Sequence, residues 1–362
     1  MAINRIYNFG SGPGMMPAEV LQQAQAELLS WQQRGISVWE MPFTGETFQT
    51  IAEQAKQDLR ELLAIPPQYR ILFMQGGASA QFSLVPMNLL GGKRRADYVE
   101  TGHWSSKAII EGQRYCRVSV AASGVDTAFS VIPPRRDWQL DPAAAYCHIT
   151  SNETANGVQY SEIPDIGKVP LVADMTSDFL SRPIDFDRVD LIYAGAQKNI
   201  GPAGLTIVVI REDLIQPPMP TTPSAFSYKV VNETHGRFNT PLTYAIYLAG
   251  LVFKHLKQIG GLSRVSRFNQ QKSVRLYRAI DSSDFYHCPV ALAYRSKMNI
   301  CFTLADPTLD NLFLARAEEQ GLLNLRGHPA MGGVRASLYN AMPDVGVAAL
   351  EQFMAEFASR YG

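Results

Sequence analysis

The sequence predicts an α/β protein built on a large, mostly parallel sheet, with a smaller α+β unit after it. Two observations carry this. A series of short apolar runs, each ending in a polar, glycine-rich or hydroxyl-rich segment, alternates with helical patterns, as in a parallel sheet covered on both faces. The chain has 362 residues, more than one small core accommodates, so we expect a large unit over 16–260 and a smaller one over 261–362 completed by the N-terminal segment 1–15.

Each element follows in order. Pro17 precedes an amphipathic run, AEVLQQAQAELLSWQQ, that predicts a helix reaching Gly35, and a second helix is expected over Phe48–Leu63. Ile71–Met74 reads as a buried strand, Gly76–Gly77 as a tight turn and the following residues as a helix. The pattern recurs in ADYVETGHWSSKAIIEGQRYC, AAAYCHITSNETANG, PLVADMTSDF, VDLIYAGAQKNIG and GLTIVVIRED. A long helix over Leu242–Gly260 then leads to a helix, a strand (Lys297–Leu304), a helix (Thr308–Gln320), a strand and a last helix (Asp344–Tyr361).

Composition excludes several classes. Residues are 46% hydrophobic and 18% charged with zero formal net charge, so the chain is an ordinary folded globule without the basic field that nucleic-acid binding needs. MAINRIYNFG lacks the apolar core of a signal peptide and no apolar run approaches a membrane span. We expect a cytoplasmic protein with no membrane or nucleic-acid partner. The four cysteines and six histidines show no metal-ligand spacing, so neither a disulfide nor a metal site is expected.

The chemistry concentrates at strand ends, where ligands bind in such sheets. In AGAQKNIGPAGLTIVV, Lys198 sits between a strand and a glycine-rich turn, and Asp174 ends the apolar strand of PLVADMTS. A lone strand-end lysine is usually a solvated charge, and a lone aspartate there an ordinary helix cap. Together on neighbouring strands they suit pyridoxal 5'-phosphate, with Lys198 joined to the cofactor and moving protons at the substrate α-carbon. Asp174 would keep the pyridine nitrogen protonated as an electron sink. Gly76-Gly77-Ala78-Ser79 opens a helix whose free N–H groups suit a phosphate, although most such turns are only structural. Trp104 offers a ring to stack on the pyridine, Thr154 a hydrogen bond to its phenolic oxygen, and Ser177 and Gln197 contacts to the phosphate.

Segments SGP at 11–13, ADYV-TG-W at 96–104, NET-G at 152–157, AD at 173–174, SRPID at 181–185, YAGAQKNIGPAGLTIV at 193–208, FNTP at 238–241, SKMN at 296–299 and RASLYNAMP at 335–343 resemble the phosphoserine aminotransferase family from about Tyr7 to Phe357. The resemblance implies the aspartate-aminotransferase-like architecture of fold type I pyridoxal-phosphate transferases. It implies Lys198 as Schiff-base lysine, Asp174 at the pyridine nitrogen, Trp104 stacked, Thr154 on O3′, and Ala78, Ser79, Ser177 and Gln197 on the phosphate. Asn239 and Thr240 would reach the cofactor of a neighbouring subunit in a homodimer with shared sites. Arg335, aided by Ser11, would grip the substrate α-carboxylate, and glutamate would be the amino donor to a small 2-oxo acid.

The sequence departs from that family at the distal-anion pocket. Where the family has a Ser-His-Arg motif this chain has Pro42-Phe43-Thr44; its Gly-His-Arg motif is Gly327-His328-Pro329 here, and an arginine of some members is Ser79. Phe43, Thr44 and His328 thus become the substrate-pocket residues, and the expectation is an acceptor without a phosphate, since a dianion would lose its guanidinium partners. Arg326, His103 and Arg34 are the candidate substitutes. The alternative is ordinary phosphoserine aminotransferase activity in serine biosynthesis. Two further alternatives are a lyase or desulfurase, which needs a mobile cysteine near the substrate, and a non-catalytic binding protein on the same fold, which has no use for Lys198, Asp174 and Arg335 together.

Overall fold

The computed structural model describes residues 6–362; of the 1–15 segment, positions 1–5 lie outside the described residues. After β1 (Tyr7–Asn8), helix α1 (Ala18–Ala26) ends well before Gly35. The physical reason is local. Leu28 and Leu29 stay exposed, and Gln32 and Gln33 adopt φ of 46° and 62°, turning the chain so that Trp31 is buried. Helix α2 (Glu46–Leu63), expected over Phe48–Leu63, buries Phe48, Ala52, Ala55, Leu59 and Leu63 along one stripe.

The large sheet is formed by β2 (Tyr69–Gln75), β3 (Arg95–Glu100), β4 (Arg117–Ser123), β5 (Cys147–Thr150), β6 (Leu171–Asp174), β7 (Leu191–Gly195) and β8 (Leu205–Arg211), in the order β2-β8-β7-β6-β5-β3-β4. Only β8 runs against the other six. Strands β5 to β7 are buried throughout, which is why they read as unbroken apolar runs. Strand β4 escaped the sequence reading because it is an edge strand, largely exposed, with no apolar run. Helices α3 (Gly77–Leu89) and α4 (His103–Gly112) follow β2 and β3, as the alternation predicted. Between β5 and β8, however, the described connections contain no helix.

The parallel run places the carboxyl ends of β2, β3, β5, β6 and β7 along one edge of the sheet. Because β8 returns antiparallel to β7, the connection at residues 196–204 turns back at that same edge. Beyond it come α5 (Tyr228–Glu233), α6 (Thr243–Gln258), α7 (Gly261–Asp281), β9 (Tyr286–His287), β10 (Asn299–Leu304), α8 (Asp310–Glu319), β11 (Leu322–Leu323), β12 (Val334–Ser337) and α9 (Asp344–Tyr361). Strands β12, β10 and β9 form an antiparallel sheet, and β1 pairs parallel with β11. Helix α6 packs on α2. No helix among the described residues is long and apolar enough to cross a membrane.

Candidate active site

A cavity of about 390 Å³ opens at that carboxyl edge, lined among others by Ser11, Ala78, Ser79, Trp104, Thr154, Asp174, Ser177, Gln197, Lys198, His328 and Arg335. Eleven residues chosen from sequence thus meet in one place. A larger cleft of about 510 Å³ lies elsewhere and has neither Lys198 nor Asp174 in its wall.

Lys198 is buried and its Nζ donates to Thr154 Oγ1 at 2.5 Å. Burial pulls its pKa down to about 8, opposed by Asp174 and reinforced by Arg335. A lowered pKa is what a lysine that must present a neutral amine requires. Asp174, at the end of β6, accepts from Thr176 N at 2.9 Å, and burial raises its carboxyl above the usual range. A carboxylate so desolvated calls for a cationic N–H partner, and a protonated ring nitrogen meets that need.

The residues fit pyridoxal phosphate on further observations. Trp104 Nε1, Thr150 Oγ1 and Arg335 Nε are buried without a hydrogen-bond partner, and all three residues line the cavity. Helix α3 begins at the cavity with no side chain capping its N-terminus, which leaves backbone donors for a phosphate. Gly76 and Gly77, with φ of 104° and 68°, make the turn that aims this helix end inward. When bound, the cofactor supplies an electron sink for charge developing at a substrate α-carbon. Ser177 lines the cavity, but its hydroxyl is already engaged, donating to Asn152 O at 2.7 Å and accepting from Asn152 Nδ2 at 2.8 Å.

Sequence reasoning passed over Glu153, the middle residue of the Asn-Glu-Thr segment from which only Thr154 was taken. Its carboxylate accepts from the N–H groups of Trp104 at 2.9 Å and Ser105 at 2.8 Å, while Asn156 Oδ1 accepts from His103 N at 3.0 Å. The loop therefore caps the start of α4, which Gly102 cannot do for itself. A Cβ at Gly102 would lie 2.6 Å from Asn156 Oδ1 and 2.7 Å from Glu153 Cδ, so glycine permits the approach. Burial raises the Glu153 pKa to about 7 against these hydrogen bonds. One loop thus anchors the Trp104 backbone N–H and, through Thr154, the Lys198 amine. Glu153→Gln should cost about 1–3 kcal/mol by setting an amide donor against backbone donors. It should also loosen Trp104, read as a lower melting temperature and a weakened near-UV dichroism of bound cofactor; unchanged values would refute the capping role.

Four sequence-chosen residues lie outside this cavity wall. Asn239 and Thr240 are exposed, and Thr240 O accepts from Gln75 Nε2 at 2.9 Å. Phe43 packs partly against the large core and Thr44 is exposed, and neither lines the cavity. Within one chain, neither Phe43 nor Thr44 contributes to the pocket as the sequence reading expected. Of the substitute cations, Arg34 sits over the Trp31 ring and Arg326 donates to Asn311 Oδ1 at 3.0 Å, whereas His103 packs against His328 at the cavity. Cys301 pairs with Arg335 across β10 and β12, but burial pushes its thiol up to about 12. A desulfurase needs a reactive thiolate, and this cysteine is not one.

Comparison with known proteins agrees with this geometry. The family profile described as aminotransferase class-V matches residues 6–350. A phosphoserine aminotransferase of Laribacter hongkongensis is 55% identical over 358 residues, 99% of each chain. The structure of phosphoserine aminotransferase from Bacillus circulans subsp. alkalophilus superposes with a TM-score of 0.97 at 43% identity, covering 99% of each chain. The pyridoxal-phosphate-bound phosphoserine aminotransferase of Trichomonas vaginalis matches with a TM-score of 0.93 at 38% identity, over 97% of this chain and 100% of that one. With Lys198, Asp174 and Arg335 meeting in one buried cavity, the chain belongs to the phosphoserine aminotransferase family of the class-V aminotransferases and is a pyridoxal-phosphate-dependent transaminase.

Proposed function

We propose that this chain transfers the amino group of glutamate to 3-phosphohydroxypyruvate, the reaction of a phosphoserine aminotransferase. The observation that carries this is a relative of that name, 55% identical with 99% of both chains aligned, combined with a cavity that gathers Lys198, Asp174 and Arg335. Lys198 would hold the cofactor and move the α-proton, Asp174 would hold the ring nitrogen, and Ala78, Ser79 and Gln197 would lie on the phosphate. Arg335, whose Nε is buried without a partner, would take the α-carboxylate with its planar fork, with Ser11 beside it.

Asn239 and Thr240, exposed on the single chain, would complete the cofactor site of a second copy, and Phe43 and Thr44 would meet substrate from there. The functional unit is then a cytoplasmic homodimer, with 16–260 as the cofactor-binding unit and 261–362 plus 1–15 as the smaller one. Parallel loss of dimer mass and cofactor absorbance on dilution would accord with shared sites.

A second reading, an unphosphorylated acceptor, is favoured by one feature: among the described residues, Arg335 is the sole arginine in the cavity wall. Each charge-assisted hydrogen bond to an anion is worth about 1.5–3 kcal/mol, so missing guanidinium partners would weaken a dianion strongly. Steady-state kcat/KM for 3-phosphohydroxypyruvate against a panel of unphosphorylated 2-oxo acids decides between them. We expect the phosphorylated acceptor to lead by at least about tenfold, the equivalent of one such hydrogen bond. The reverse order would establish the second reading.

A further inference from the structure

The cleft of about 510 Å³ without Lys198 or Asp174 in its wall is formed by the segments that follow β5 and β6, the second half of α7 and residues 292–297 before β10. Its volume falls within the roughly 300–1,000 Å³ usual for small-molecule pockets. Among the described residues, its wall holds four cations, Arg182, Arg278, Arg295 and Lys297, against one acid, Asp281. We propose that this cleft binds a small organic carboxylate with an apolar body, the anionic group being held by Lys297. The site is separate from the transaminase cavity and does not depend on which substrates that cavity takes.

The charges in the wall do not cancel. Asp281 accepts from Arg295 Nη1 at 2.6 Å and Nη2 at 2.9 Å, so those two residues neutralise each other. Arg182 donates from its Nη groups to Ser161 O, Tyr160 O and the buried Asp178 carboxylate, while its Nε is buried without a partner. The Lys297 amine has no hydrogen-bond or ion-pair partner among the described residues. Burial lowers its pKa, and the Arg182 charge lowers it further. A partly desolvated ammonium facing a guanidinium lacks both a counter-charge and an acceptor, and a carboxylate supplies the two together. Arg278, exposed and also without a side-chain partner, adds to the same positive field.

The cations are set in place before any ligand arrives. Lys297 N donates to Gln159 Oε1 at 2.9 Å, and Gln159 Nε2 donates at 3.1 Å to Asp178 Oδ2, the same oxygen that Arg182 contacts. Asp178 is fully buried, so the Lys297 backbone and the Arg182 side chain are tied to one fixed point, which lowers the cost of ordering them around an anion. The apolar body follows from two other wall residues. Val274 on α7 and Leu292 line the cleft yet stay 41% and 79% exposed. A ring or branched chain over them takes that surface out of water, whereas inorganic phosphate leaves it bare.

The test is calorimetric titration of the holoenzyme with benzoate, with benzamide, which has the ring without the charge, and with acetate, which has the charge without the ring. Because Arg335 in the transaminase cavity also attracts carboxylates, the titrations are made on the Arg335→Gln variant as well as on the wild type. Benzoate should bind Arg335→Gln at one site per chain with roughly millimolar affinity, and benzamide and acetate at least about tenfold more weakly. Adding Lys297→Gln should weaken benzoate at least about tenfold, while Lys297→Arg keeps most of the affinity. Lys297→Gln by itself should fold and turn over normally. An ammonium whose folded pKa is lowered costs stability wherever it stays charged, so this variant should melt at or above the wild-type temperature. Absence of benzoate binding in Arg335→Gln, affinity unchanged by Lys297→Gln, or benzamide or acetate binding as tightly as benzoate would each overturn the proposal.

Discussion

Lys198→Ala should abolish transamination while leaving a folded protein. On the role proposed for Lys198, the change would remove the cofactor's covalent anchor and the amine that moves the α-proton, and general acid–base catalysis alone accounts for about 10²- to 10⁴-fold. The fold should barely notice. Burial already depresses the Lys198 pKa to about 8, so the charged side chain is held against its solvation preference and its removal relieves a cost. Against that relief stands the hydrogen bond to Thr154, worth about 1 kcal/mol. The melting temperature of the cofactor-free variant should therefore stay within a few degrees of wild type. Borohydride treatment followed by denaturation should retain cofactor on the wild type and none on the variant. Ordinary turnover in Lys198→Ala would place the catalytic amine elsewhere.

The second large effect is expected at Asp174, and its sign differs between the cofactor-free and cofactor-bound forms. Burial raises the Asp174 carboxyl above the ordinary range. A carboxyl whose folded pKa exceeds its unfolded value costs stability at pH values above the unfolded pKa, fully so above the folded one. Asp174→Asn removes that cost, so the cofactor-free variant should melt at or above the wild-type temperature. The cofactor-bound form should behave oppositely. Without a carboxylate to hold the ring nitrogen protonated, cofactor affinity should fall roughly ten- to a hundredfold, matching a charge-assisted hydrogen bond of about 1.5–3 kcal/mol. Most activity should go with it, and the stabilisation that bound cofactor confers should shrink accordingly. Calorimetric melting with and without cofactor, together with kcat, checks all three. Equal cofactor affinity and unchanged kcat would remove Asp174 from the electron-sink role.

These expectations rest on residues legible in the sequence because each sits at the end of an apolar strand. Lys198, Asp174, Thr154, Trp104 and Ala78–Ser79 all follow strands of the large sheet, and in β5 to β7 burial on both faces forces an unbroken hydrophobic pattern. A polar residue at the end of such a run stands out. Where burial was one-sided or absent, the signal failed. Strand β4 lies exposed at the sheet edge, and the end of α1 was decided by positive φ at Gln32 and Gln33, which glutamine does not announce.

Sequence alone therefore determined most of the strand-and-helix succession and, through segments from SGP to RASLYNAMP, the family, and it pointed to residues that gather in one cavity. Tertiary structure decided which residues act together. Glu153 caps α4 only because the β5–β6 connection crosses beside Gly102, and His103 meets His328 across 225 positions of chain. Phe43 and Thr44, chosen by alignment of motifs, lie away from the cavity of their own chain. Local sequence governs backbone conformation and burial over a few residues, whereas a hydrogen bond or ring contact between distant segments depends on where the whole sheet sets its strand ends.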